Sequence, residues 1–492
     1  MRARFSSSAE ESVMKQSNRK GFTTVYVTLT ALVLIPVVGL AVDFSVLYNV
    51  KARLQAAVDA AAIGSGNMLE RSTDLTNLTQ VNNIKDSAQR FFNANYPSNY
   101  WGSTKIYYDS TPSEDASRTR TIYVHAAYDV PMLFLRVIGV TKSRVAAQAS
   151  VKVRFVTLMI AVDRSGSVVN GGADTSIKNA LTTFVANSTT SVFVDGRDYV
   201  GMVSFGGNWK LDYAPKLAFQ TSTPSIGTAI NNIPFDNSSS TNTSDGLWQA
   251  YYQLKQLNQT GSLNVIVLLT DGRPSAFPGQ FTMNSSPCNS SVKNGWLGAN
   301  VGSSAAQWPP PTDTSSFHTF GINKTQWAST GADKTPVTNN TGCSFAGNPD
   351  NIQSDISTFP NSVMPVDNPT VSPALGPFST ISGVYPAPGN NTNNPRSVRY
   401  AAFNVADNIA TAIRQDTAIR PVLFVIGLNE STGEPLDADW LARLANDPSY
   451  KDSSGNSVFQ VGQTSGMYFN VSASGLPGAF QQIASQILRL SQ

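Results

Sequence analysis

The hydrophobic and polar positions of this chain fall into distinct regimes. Residues 21–42 form an uncharged, mostly apolar run. That is long enough to cross a bilayer as a helix, which needs about 20 residues. Beyond it, Leu54, Val58 and Ala61 recur at helical spacing, with Lys51, Arg53 and Asp59 interspersed. This pattern predicts an amphipathic helix over 47–63. Residues 80–94 read as a second helix. The runs at 105–108, 121–124 and 144–149 read as strands, with a polar turn over 114–120 between the first two. The expectation is a membrane helix over 21–43, then a helix and a small α+β domain over 44–150.

From about residue 153 the pattern becomes alternating strand and helix. Strand-like runs lie at 154–162, 199–205, 264–270, 421–427 and near 467–471. Amphipathic helices are predicted over 175–188, 244–257, 397–414, 437–446 and 477–490. Near-continuous apolar strands between amphipathic helices imply a mostly parallel sheet covered on both faces. An α/β domain over 151–492 follows. One stretch, about 274–395, breaks the rhythm with Pro, Ser, Thr, Asn and Gly. A structureless loop that long is improbable inside a compact domain, so it reads as an insertion between a core strand and a core helix. Trp296, Trp308 and Trp327 suggest that parts of it pack.

Charge sharpens the picture. Only 14% of the 492 residues are charged and the net charge is +3, so no nucleic-acid footprint is expected. Arg2, Arg4, Lys15, Arg19 and Lys20 precede the apolar run, and Lys51 and Arg53 follow it. This bias favours a cytoplasmic tail over 1–20, with the chain after Asp43 outside. A cleaved signal peptide has a shorter apolar core, about 7–15 residues, and the basic tail disfavours a buried core helix. Cys288 and Cys343 share the Ser/Asn/Pro-rich stretch. Outside the cytoplasm they are candidates for one disulfide; the alternative is two unpaired thiols. His125 and His318 lie far apart without ligand-like spacing.

The candidate chemistry sits where strands give out. The run at 155–162 ends in Asp163-Arg164-Ser165-Gly166-Ser167, and the run at 265–269 ends in Thr270-Asp271-Gly272. Between them, Thr241-Asn242-Thr243 opens a helix. In an open parallel sheet, strand ends line the crevice where ligands bind. Asp163, Ser165, Ser167, Thr241 and Asp271 make an all-oxygen set suited to a hard cation such as Mg²⁺, which takes about six oxygens and is commonly held by one or two carboxylates. The absence of Cys and His there disfavours zinc or copper. Serine catalysis would need a base, usually His, and no phosphate-gripping Gly-rich loop with Lys is present. An enzyme is therefore not expected.

These residues resemble a known pattern. Asp163-x-Ser165-x-Ser167, Thr241 and Asp271-Gly272 resemble the metal-ion-dependent adhesion site of von Willebrand factor A domains, over about 153–273 and 396–492. The resemblance implies a Rossmann-like α/β fold, Mg²⁺ or Mn²⁺ binding, and a protein partner whose acidic residue completes the coordination. Arg19-Lys20-Gly21, the apolar span, Asp43, Leu54-Gln55-Ala56-Ala57 and Asp59-Ala60-Ala61-Ala62 look like the start of TadE/TadG-like proteins of bacterial tight-adherence (Flp) pilus systems. That implies a single-pass protein of the bacterial inner membrane, with an extracytoplasmic bulk, serving pilus assembly, anchoring or adhesion alongside other pilus or envelope components. Residues 20–23 also resemble a prepilin cleavage site, but Tyr26 stands where type IV pilins carry Glu, so a retained anchor is expected. The alternative function is a structural envelope anchor in which the metal only stabilises the fold.

Overall fold

The computed structural model describes residues 20–116, 118–207, 209–235, 240–282, 292–300, 317–322, 395–430 and 436–491. The chain divides into two compact units. The first comprises Met1–Met68, Val81–Pro112 and Ile122–Val151; the second comprises Leu69–Gln80, Ser113–Thr121 and Lys152–Gln492.

The first unit is built on α1, a continuous helix over Lys20–Arg71. The amino-terminal part of α1 is exposed and apolar, and by length and composition it is able to cross a membrane. From Val46 onward one face turns inward. Val46, Val50, Leu54, Val58, Ala61 and Ser65 are buried, at the spacings of three and four that place side chains on one helical face. Gly64 allows α2 (Leu78–Asn95) to approach closely, because a Cβ there would lie 2.3 Å from the Phe91 ring. The strands β1 (Thr104–Glu114), β2 (Thr119–Pro131) and β3 (Lys142–Arg154) form a sheet in that order. Aromatic rings fill its core, with Phe92 against Tyr108 at 4.7 Å and Tyr96 against Tyr128 at 4.6 Å.

The second unit is a six-stranded sheet in the order β12-β11-β7-β4-β5-β6. Its members are β4 (Val156–Asp163), β5 (Tyr199–Phe205), β6 (Trp209–Lys216), β7 (Leu263–Thr270), β11 (Val422–Leu428) and β12 (Tyr468–Val471). All pairings are parallel except β5 with β6 at the edge. The central strands are buried along their whole length. Their side chains alternate between two cores, as strand geometry requires. Met159, Ala161, Ile266, Leu268, Leu423 and Val425 face one core, with α6 (Thr243–Leu257), α7 (Pro395–Gln415) and α8 (Ala438–Ala445). Leu158, Ile160, Val162, Val267, Phe424 and Ile426 face the other, with α4 (Asp174–Leu181), α5 (Ile226–Asn231) and α9 (Leu476–Ser491).

Several elements were not foreseen from the pattern. The short helix α3 (Gly166–Asn170), the helix α5 and the edge strand β6 all fall in stretches read as connections. Part of the insertion also falls among the described residues. Strands β8 (Ala276–Thr282), β9 (Val292–Asn300) and β10 (Phe317–Ile322) pair antiparallel in the order β10-β9-β8. Trp296 on β9 is buried, and its ring lies 2.6 Å from where a Cβ on Gly207 would be. Cys288, Cys343, Trp308 and Trp327 lie outside the described residues.

The chain leaves β4 for β5 on one side and returns to β7 on the other. The crevice above β4 is therefore a topological switch point, the place where ligands bind in open α/β sheets.

Candidate metal site

The register of β4 against β7 creates the site. Val162 pairs with Leu269, so both strands end together and deliver Asp163 and the Thr270-Asp271 pair to one edge. Asp163 is fully buried. One of its carboxylate oxygens accepts the Ser165 amide at 2.9 Å, and the other accepts the Thr270 hydroxyl at 2.6 Å. Ser165 caps α3 without committing its side chain to the helix. Its hydroxyl lies 3.1 Å from that of Ser167, which donates to Asp271 at 2.8 Å. Asp163, Ser165, Ser167 and Asp271 thus form one chain of polar contacts between two carboxylates.

Thr241 arrives from a separate loop. Its amide donates to the Ser275 hydroxyl at 2.8 Å, and its carbonyl accepts the amides of Ser275 at 2.8 Å and Ala276 at 3.1 Å. The next residue, Asn242, donates its backbone amide to the Gly206 carbonyl at 2.8 Å and its side chain to Gly207 at 3.1 Å. Asn242 also caps α6 by accepting the Asp245 amide. The Thr241 loop is therefore tied to the loops that follow β5 and β7. Four of the five sequence-predicted residues are joined by direct contacts, while Thr241 is tied by its backbone to the segment that follows β7.

Electrostatics make this edge unusual. Burial pushes the Asp163 carboxyl above the ordinary carboxylate range, against hydrogen bonds from Ser165 and Thr270. Asp271 is pushed well above that range by burial and then by the charge of Asp163, with Glu430 adding to it, while the Ser167 hydrogen bond opposes. Two like charges in one buried site cannot both ionise cheaply without a proton or a cation between them. Among the described residues no three His, Cys, Asp or Glu side chains gather as a metal group. A cation held here would rely on two carboxylates and the hydroxyls, a hard-oxygen donor set.

Some participants escaped the sequence reading. Thr270 was seen only as part of the strand end, yet it positions Asp163. Ser275 fixes Thr241. Glu430 follows β11, and its aliphatic carbons lie 3.4 Å from where a Cβ on Gly171 would be, at the end of α3. Asp245, in the first turn of α6, is fully buried, and burial pushes its carboxyl well above the usual range. Only tertiary register brings Ser275 to Thr241 and Glu430 near Asp271. The Thr in a strand-Thr-Asp ending was the one local signal.

Comparison with known families agrees with this architecture. The von Willebrand factor type A domain family matches residues 157–290, and the TadE/G-like Flp pilus-assembly family matches residues 21–67. The chain thus combines a TadE/G-like amino-terminal segment with a von Willebrand factor A domain. No curated protein gives a significant match. Among solved structures, the von Willebrand factor domain of the type V pili tip protein Mfa5 from Porphyromonas gingivalis is 14% identical, covering 69% of this chain and 97% of that one at a TM-score of 0.34. The PilB minor pilin from Streptococcus sanguinis is 14% identical, covering 80% of each chain at a TM-score of 0.34. Proximal thread matrix protein 1 from the mussel byssus, solved with zinc in its MIDAS motif, is 17% identical, covering 25% of this chain and 32% of that one at a TM-score of 0.19.

Proposed function

We propose that the second unit holds a divalent cation, Mg²⁺ or Mn²⁺, through Asp163, Ser165, Ser167, Thr241 and Asp271, and that the cation grips an acidic residue of a protein partner in a bacterial tight-adherence pilus system. The observation that carries this reading is the buried Asp163–Asp271 pair linked through the Ser165 amide and the Ser165 and Ser167 hydroxyls. A cation offsets the repulsion that burial imposes. Neutral hydroxyls among its ligands would leave it enough positive charge to attract a partner carboxylate. The exposed apolar part of α1 supports a single-pass anchor, and the basic residues before it favour a cytoplasmic amino terminus with the bulk of the chain outside the inner membrane. Pilus assembly, anchoring or adhesion fits both family matches. A binding role rather than a catalytic one is part of this proposal, as the donor set carries no histidine.

The burial of the pair also favours a second reading, in which the cation only stabilises the fold of an envelope anchor. One experiment separates the two. Full-length wild type and Asp271→Ala, in nanodiscs, are used to capture other pilus components with Mg²⁺ or with EDTA, and thermal midpoints are recorded alongside. Capture lost with EDTA and in the variant, while both stay folded, supports metal-dependent binding. Capture unchanged by EDTA, with only the midpoint falling, supports the structural reading.

A further inference from the structure

The connection from β2 to β3 is almost wholly apolar. Residues 132–140 run Met-Leu-Phe-Leu-Arg-Val-Ile-Gly-Val. Met132 is buried, but Val137 is 88% exposed, Ile138 74% and Leu133 61%. Contiguous exposed apolar surface of this kind marks an interaction site.

Three observations identify its occupant. First, the loop lies along α1 within the same unit. Phe134 seats on Gly39, where a Cβ would come within 2.6 Å of its ring. An apolar cavity of about 340 Å³ is lined by Ile35, Pro36 and Leu40 of α1 with Phe134, Leu135 and Ile138 of the loop. The loop surface is therefore continuous with the exposed apolar part of the helix. Second, the depth fits. The loop is fastened at Asp43, which ends the uncharged run, and reaches to the level of Ile35. Eight residues of helix span about 12 Å, within the ~15 Å half-thickness of a bilayer's hydrocarbon core. Third, most of the loop's amides are bonded within the protein. The buried Asp43 carboxylate accepts those of Leu133, Phe134 and Leu135 at 2.9, 2.9 and 2.7 Å. Met132 donates to the Thr141 carbonyl, Val137 to Phe134, Gly139 to Arg136 and Val140 to Leu135. Gly139 makes this closure possible at φ 95. Backbone donors satisfied within the protein are what hydrocarbon demands. Arg136, the single charged residue of the loop, has a stem long enough to carry its head up to the headgroups.

We propose that the β2–β3 loop is a membrane-inserting wedge whose apolar side chains enter the acyl chains of the outer leaflet beside α1. It gives the first unit a second hold on the bilayer and fixes its orientation about the helix. The proposal rests on the reading of α1 as a membrane anchor.

The test places a photo-crosslinking benzoylphenylalanine in the full-length chain, in nanodiscs. One probe goes at Val137, one at Leu32 in the helix as an anchor control, and one at Val461 on the second unit as a solvent control. Lipid adducts at Val137 as strong as those at Leu32, and absent at Val461, are expected. Adducts at Leu32 without any at Val137 overturn the wedge and leave the anchor standing. Protein adducts at Val137 overturn it in favour of a partner helix. Loss of lipid adducts at both sites overturns the anchor and the wedge together. Phe134→Ser, changing a partly exposed side chain, should lower the lipid yield at Val137 without changing that at Leu32.

Discussion

Two carboxylate sites in this protein answer burial in opposite ways. In the first unit, Asp43 is surrounded by three backbone amides. Those donors cannot rotate away, so the site is complete and structural. In the second unit, Asp163 and Asp271 are buried together, and most of what reaches them is hydroxyl: Thr270, Ser167 and, through Ser167, Ser165. A hydroxyl turns easily from donor to ligand. The first arrangement fastens a loop; the second, on the function proposed above, would leave a place for a cation. The comparison teaches that the kind of donor around a buried carboxylate, more than its burial, separates a fastening from a binding site.

The largest expected effect tests the hydroxyl side. At Mg²⁺ of a hundred times Kd, wild type should gain about 2.7 kcal/mol, read as a rise in thermal midpoint. A Ser165→Ala, Ser167→Ala double variant should gain nothing. A gain in the variant equal to wild type would place the ion elsewhere. Asp43→Ala should come next: with their acceptor gone, the amides of Leu133, Phe134 and Leu135 should exchange with solvent about tenfold faster, with no dependence on Mg²⁺. Any Mg²⁺ dependence there would break the contrast.

A pH series sharpens it further. Asp163 and Asp271 are raised in the folded state, so metal-free protein holds protons that the unfolded chain has already released. Stability present below about pH 4 is then lost as pH rises through the raised values, by about 1.4 kcal/mol for each unit a carboxyl is raised. Urea midpoints with and without Mg²⁺ isolate the pair from other buried carboxyls: the metal-dependent gain should grow with pH. A gain that shrinks as pH rises would contradict it. The smallest effect is expected for Thr270→Val, which removes one hydrogen bond from Asp163. Stability should fall by about 1 kcal/mol and Mg²⁺ affinity by a few fold. An unchanged affinity would show that Thr270 does not position Asp163.

Legibility followed the physics of each element. The central strands were visible because burial on both faces leaves an uninterrupted apolar run, and β5 emerges over Tyr199–Phe205 as its sequence reads. The helical face at Leu54, Val58 and Ala61 was visible through its period. Strand β6 was not: it carries Lys210, Asp212 and Lys216 at an edge, where pairing with β5 on one side only suffices. Helices α3 and α5 are one to two turns long, too short for a period to show. Strands β8 to β10 are rich in Gly, Asn and Thr and hold together by pairing and by the packing of Phe277 and Trp296. At the candidate site, the five oxygen residues stood out in the sequence because each lies at a strand end or a helix start. Thr270 donating to Asp163, Ser275 holding Thr241 and Glu430 beside α3 depend on register between elements far apart in sequence. The fastening of the β2–β3 loop by Asp43 joins residues about ninety positions apart, which no local pattern encodes.

The most direct test of the central claim is a calorimetric titration of Mg²⁺ into the full-length chain in nanodiscs, beside its Asp163→Ala variant. The account predicts saturable binding by wild type at one site and none by the folded variant. No binding by folded wild type, or equal binding by both, would contradict it.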